Sequence, residues 1–190
     1  MVSHSHARIA ADDRVTVTLG VTRAVDISAQ VVDPHTDKPI SVESAFAQVD
    51  ETHAEINAAF PHGGEYVLRV FAKPHGADGP LGWVLDYRVD ASRGTRDATF
   101  PVLYSAFETS HAWLYESLEG TLRQGQSYRF RLRVPGASEV ILENQGVRTA
   151  LHRAGDEFSA ELPAGRGESV LYARFGGGDD YLGLLKYVGK

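Results

Sequence analysis

Two stretches of this chain, about a hundred residues apart, end in nearly the same way: "GEYVLRVFAKPHGADGPLGWVLDYRV" at 64–89 and "GESVLYARFGGGDDYLGLLKYV" at 167–188. The match extends upstream, where "INAAFPHG" (56–63) and "FSAELPAG" (158–165) both read apolar-x-Ala-x-apolar-Pro-x-Gly. Order, spacing and residue type agree over roughly thirty residues. A period of this length is too long for a solenoid repeat and fits a duplicated domain. Whatever fold one copy adopts, the other must be able to adopt it too.

The local pattern is β. In "YRFRLRV" (128–134), Tyr128, Phe130, Leu132 and Val134 alternate with Arg129, Arg131 and Arg133. Period 2 puts the apolar set on one face of a strand and the arginines on the other. "VTVTLGV" (15–21) does the same with Val15, Val17, Leu19 and Val21. In the matched segments, Leu68, Val70 and Ala72 correspond to Leu171, Ala173 and Phe175, and Ile56, Ala58 and Phe60 to Phe158, Ala160 and Leu162. Gly- and Pro-rich turn signals separate these runs at short intervals, the pattern of an antiparallel sandwich. One segment resists: "VESAFAQVDETHAEINAAF" (42–60) also reads as an amphipathic helix with Phe46, Val49, His53 and Ile56 on one side. Its end aligns with the "FSAELP" strand, so that part is expected as strand, with room for a short helical turn around 43–52. The expected fold is all-β: two tandem immunoglobulin-like antiparallel β-sandwich domains, 1–92 and 93–190, divided in the polar "ASRGTRDAT".

Composition narrows the function. Residues 1–92 carry seven Lys/Arg against thirteen Asp/Glu, and residues 93–190 carry twelve of each. An acidic half disfavours nucleic acid, and no apolar run is long enough to span a membrane. The chain has no cysteine, hence no disulfide, thiol nucleophile or Cys-ligated zinc. The N-terminal "MVSHSHARIAADDR" does not follow the pattern of a secretory signal. A cytoplasmic protein is the expectation.

The second half resembles the immunoglobulin-like domains that follow the transglutaminase-like domain in kyphoscoliosis-peptidase-type proteins. The resemblance is carried by "FPVLYSAF" (100–107), "YESLEGTLRQGQSYRFRLRVPGASEVIL" (115–142), "LHRAGDEFSAELP" (151–163) and "YLGLLKYV" (181–188), and in the first half mainly by "GEYVLRVFAK" and "LDYRV". In that family, catalysis would belong to a Cys-His-Asp site of the transglutaminase-like domain. No catalytic residue carries over to a chain without cysteine. The resemblance implies an accessory module that contacts partners.

Candidate residues follow from that role. The loops joining the last two matched strands, "KPHGADGPLG" (73–82) and "GGGDD" (176–180), offer His75, Asp78, Asp179 and Asp180 as recognition residues. Trp83 could anchor a partner, but its alternation with Leu85 and Tyr87 favours a place in the core. Arg129, Arg131 and Arg133 form a basic stripe suited to an acidic partner. Trp113, Leu114 and Tyr115 of "HAWLYESL" either cover a junction or form an exposed apolar patch. His4 of "SHSH" could chelate Cu(II) or Ni(II) with a freed N-terminus, but a polar tail is the simpler reading. The other histidines are scattered, no metal or cofactor is expected, and Ser41, Ser44, Ser105 and Ser110 lack a nucleophile-elbow setting. Glu65 and Glu168, at matching strand starts, are expected to accept hydrogen bonds from turn amides. The expected function is non-catalytic protein binding through end loops, edge strands or the interdomain surface. A transglutaminase- or protease-like enzyme is the suggested partner. The rivals are a hydrolase with a site between the modules and a structural subunit of an assembly.

Overall fold

The structure, a computed structural model, describes residues 7–95, 99–178 and 180–190. It divides into two compact units, residues 1–99 and 100–190. In the first unit the strands are β1 (Arg8–Ala11), β2 (Arg14–Gly20), β3 (Val25–Asp33), β4 (Lys38–Pro39), β5 (Ala45–Val49), β6 (His53–Ala59), β7 (Gly64–Pro74) and β8 (Gly82–Ala91). Among the described residues they form two sheets, β1-β8-β7-β3-β4 and β2-β6-β5. All pairs are antiparallel except β1, which runs parallel to β8. This is the sheet arrangement of an immunoglobulin-like sandwich.

Alternation decides which face is buried. Tyr66, Leu68 and Val70 of β7 face inward, with Val31 of β3 and Val89 of β8, and meet Val17, Ala47 and Ile56 from the other sheet in one core. Each large apolar side chain taken fully from water contributes about 1.5–3 kcal/mol. The stretch 42–60, ambiguous between helix and strand, resolves into a 3-10 turn at Val42–Ser44, capped by the Ser41 hydroxyl, followed by the β5–β6 hairpin. Pairing with β2 buries Ala54, Ile56 and Ala58, and only a strand presents alternate residues to one sheet face.

The entrance to β7 is fixed by a tyrosine. The Tyr66 hydroxyl donates to the His62 carbonyl at 2.9 Å and also lies against His62 Nδ1. Its ring packs on Phe60 with centroids 5.0 Å apart. This is the tyrosine corner of immunoglobulin-like sandwiches. Gly64, at φ 148°, makes the turn before it.

The second unit adds β9 (Val102–Leu103), a helical turn α1 (Ser105–Thr109) and β10 (Trp113–Glu116) before β11 (Thr121–Leu122). There follow β12 (Ser127–Arg133), β13 (Ala137–Asn144), β14 (Val147–Ala150), β15 (His152–Ala154), β16 (Glu157–Pro163), β17 (Gly167–Phe175) and β18 (Tyr181–Gly189). The sheets run β11-β18-β17-β13-β14, with β9 also on β18, and β10-β12-β16-β15. Thus β16, β17 and β18 hold the same places in their sheets as β6, β7 and β8. The two sheets meet where the Phe130 ring stands edge-on to Tyr187, centroids 5.3 Å apart. At the Tyr66 position this unit has the buried Ser169, whose hydroxyl accepts from Asn144 Nδ2 at 2.9 Å.

Candidate functional site

The best-defined surface feature of the first unit lies on the outer face of its five-stranded sheet. It is created by a break in register. Val70 of β7 pairs with Leu85 of β8, but the next residue, Phe71, pairs with Trp83, so Val84 is the extra residue of a β-bulge. Leu85 and Tyr87 keep the inward parity, and Trp83 is turned outward. It is 64% exposed and Val84 52%. The expectation that alternation buries Trp83 is therefore corrected: a one-residue slip moves a side chain to the other face.

Trp83 is held in place. Its Nε1 donates to Asp86 Oδ1 at 2.9 Å. Asp86 in turn accepts two bonds from the Arg69 guanidinium, Nε to Oδ1 and Nη2 to Oδ2, each at 3.2 Å. Arg69 Nη1 also reaches Asp37 Oδ1 at 3.1 Å. The hydrogen bond to Asp86 raises the Arg69 pKa above its ordinary value despite the opposing effect of burial. Arg69 is therefore a permanent cation shared by two carboxylates. A groove of about 430 Å³ runs along this face, lined by Arg8, His35, Asp37, Arg69, Asp86 and Arg88 among others. An indole fixed by a carboxylate that is itself fixed loses little freedom on meeting a partner.

The loop beyond is tied down from within. Lys73 Nζ donates to the carbonyls of Ala77 (2.8 Å) and Gly79 (3.1 Å). His75 Nδ1 lies 2.7 Å from Asp26 Oδ1. The His75 ring is thus engaged with β3, while Asp78 stands exposed at the loop tip.

The other sequence candidates are dispersed. Asp180 is exposed in the loop before β18, while Asp179, His4 and His6 lie outside the described residues. The arginine stripe of β12 is matched by acids on its neighbours. Arg131 Nη2 donates to Glu157 Oε2 at 2.9 Å, and Arg129 Nε is 3.9 Å from Glu116. The Arg133 Nε is buried with no hydrogen-bond partner among the described residues. Arg131 is thus paired within its own sheet, while the Arg129 side chain stays 62% exposed. Trp113 and Leu114 are buried at 8% and 1%, so no exposed patch forms there. Tyr115 keeps an exposed edge beneath the Arg131 guanidinium, 4.7 Å from the ring centroid. Among the described residues, Glu65 and Glu168 face basic side chains rather than turn amides: Glu65 lies 4.0 Å from Arg8 and Glu168 accepts from Lys186 at 3.2 Å. Among the described residues, no group of three His, Asp or Glu is placed to hold a metal ion, and no helix is long and apolar enough to cross a membrane.

Sequence reading missed Arg69, Asp86 and Asp37. Nothing in their spacing pairs them, since the β7–β8 register and the turn after β3 do so.

The model of the family described as "KY-like, immunoglobulin-like domain" matches residues 1–102. The expected resemblance thus holds, but the matched segment is the first half, where the sequence reading had leaned on the second. The human protein named Kyphoscoliosis peptidase is 24% identical over 139 residues, which cover 70% of this chain and 21% of that protein. The chain therefore spans about a fifth of that relative's length. Among solved structures, titin domains z1z2 in complex with telethonin are 14% identical, with 96% of this chain and 92% of that chain covered and a TM-score of 0.27. The fibronectin(III)-like modules of Clostridium thermocellum CbhA are 14% identical, with 100% and 94% covered and a TM-score of 0.28. The strand order within each unit, not these superpositions, identifies the sandwich.

Proposed function

Because the chain belongs to the KY-like, immunoglobulin-like domain family, we propose that it is a non-catalytic accessory module. It binds a partner protein through the outer face of the first unit's five-stranded sheet, with Trp83 as the anchor. The reading takes the two units as tandem copies of one module, with the sequence boundary near residues 92 and 93, in a cytoplasmic setting. The observation that carries it is the indole of Trp83, 64% exposed and locked by Asp86. Tryptophan and arginine dominate the energetics of protein interfaces, and a positioned aromatic side chain is the usual centre of such a patch. The excess of acid in residues 1–92 selects a basic surface on the partner. The relative's name, Kyphoscoliosis peptidase, makes a transglutaminase- or protease-like enzyme the partner class to try first.

The test compares capture from host lysate by the wild-type chain and by Trp83→Ala, with bound proteins quantified. A hot-spot tryptophan is worth about 2 kcal/mol or more, roughly thirty-fold in affinity. A stoichiometric partner with a basic surface, lost from the variant, is the expected result. Equal recovery by both chains would remove Trp83 from the interface and the proposal with it.

A further inference from the structure

The second unit lacks the tyrosine that closes the corner of the first. In the first unit the Tyr66 ring packs on Phe60 and stacks on His62, with centroids 5.0 and 5.8 Å away, and its hydroxyl donates to the His62 carbonyl. Phe60 and Tyr66 are almost fully buried, at 0% and 3% exposure. By the sequence match, the same positions in the second unit are Leu162 for Phe60, Ala164 for His62 and Ser169 for Tyr66. The phenol ring is missing. A slot of about 360 Å³ lies beside Leu162 and Ala164, the counterparts of the two residues the Tyr66 ring packs on, and is lined also by Leu142, Asn144, Val147 and Thr149, while Ser169 is buried and outside its lining.

Asn144 reaches the Ser169 corner but does not take over the tyrosine's hydrogen bond. Its Nδ2 donates to Ser169 Oγ and the Glu168 carbonyl, both at 2.9 Å, and the amide sits so close to Gly165 that a Cβ there would collide with it. Leu162 is only partly buried, and Val147 at the rim is 68% exposed. The Ala164 carbonyl, which corresponds to the tyrosine's acceptor, takes one bond from the Gly125 amide at 3.0 Å and has a second lone pair.

The slot lies beside a free strand edge. β14 ends its sheet, and among the described residues it pairs with β13 alone. The Leu151 amide bonds to the Val140 carbonyl, which sets the parity. Val147 and Thr149 turn their backbone groups toward β13, and Arg148 and Ala150 present theirs to the open side. The Arg148 side chain is held on the outer face by Glu143, Nε to Oε2 at 2.6 Å, so it does not cover the slot.

We propose that this slot binds an aromatic side chain, tyrosine by preference, carried by an extended partner segment that adds to the sheet along β14. The first unit supplies the template for the occupant: the ring that closes its own corner. Strand addition supplies backbone hydrogen bonds, and an inward-pointing side chain at every second position supplies selectivity. This site is in a different unit from the Trp83 face, and each stands or falls without the other.

The test uses the isotope-labelled chain and the peptide acetyl-Thr-Thr-Tyr-Thr-Thr-amide, followed by amide chemical shifts. Saturable shifts are expected at Asn144, Thr149, Leu162 and Gly165, with slower hydrogen exchange at the Arg148 and Ala150 amides. The same peptide with alanine in place of tyrosine should bind at least ten-fold more weakly. Thr149→Trp, at an exposed position, fills the slot from its rim and should abolish binding while leaving the rest of the spectrum in place. Absence of saturable shifts, equal binding of the alanine peptide to the wild-type chain, or undiminished binding to a folded Thr149→Trp variant would each overturn the proposal.

Discussion

Replacing Tyr66 with phenylalanine isolates one hydroxyl. The ring is retained, so its packing on Phe60 survives and no cavity forms. What is lost is the bond donated to the His62 carbonyl at 2.9 Å, together with the contact to His62 Nδ1. A net intramolecular hydrogen bond is worth about 0.5–1.5 kcal/mol, and orphaning a buried acceptor adds about 1–3 kcal/mol. His62 is exposed, so water can reach its carbonyl once the hydroxyl is gone, and the second penalty is small. The expected loss is therefore about 1–1.5 kcal/mol. For a unit of this size, with a urea slope near 1 kcal/mol/M, the midpoint falls by about 1–1.5 M. Of the two tryptophans, Trp83 lies in the first unit and Trp113 in the second, so fluorine-labelled tryptophan gives one resonance per unit. Urea titration read at the Trp83 resonance measures the effect where it arises. A midpoint shift below about 0.3 M would refute the assignment of the corner as a stabilising bond.

Three further outcomes follow from titratable groups. Burial raises the pKa of Tyr187, whose hydroxyl donates to the Ser117 carbonyl at 3.2 Å. Its contribution is fully present below the unfolded tyrosine value of about 10 and is lost as pH rises above it, so Tyr187→Phe should flatten the fall in stability above pH 10 in an alkaline unfolding series. The amides of His35 and then Thr36 hold the Asp33 carboxylate below its usual range against the effect of burial. Asp33→Ala should lower the urea midpoint at neutral pH, and its difference from wild type should vanish as pH falls below about 3.9 and through the lower folded value. Asp86→Ala should free the indole, shortening the Trp83 anisotropy decay in a Trp113→Phe background at a stability cost below about 1 kcal/mol.

Strand character was legible because it is local. Period-2 alternation in 128–134 places Phe130, Leu132 and Val134 inward, and all three are 0% exposed. The matched segments "INAAFPHG" and "FSAELPAG" fall on β6 and β16, which hold the same place in their sheets. The 42–60 stretch was not decidable from periodicity, since Phe46, Val49, His53 and Ile56 suit a helix as well as a hairpin. Pairing of β6 with both β2 and β5 made the choice.

The sequence by itself therefore determined the β class, the internal match and the absence of thiol chemistry, because these depend on residue types and on spacing along one strand. Tertiary structure alone decided what the surfaces offer. Trp83 faces outward because of one bulged residue, and Arg69 meets Asp86 only through the register of a hairpin. Arg129 and Arg131 of β12 meet acids on β10 and β16. The slot beside β14 is lined by residues of β13, β14 and β16 and the turn after it, which only the sheet order brings together. Spacing along a chain constrains neighbours at two or four residues, whereas register and strand order bring together groups that no local pattern connects.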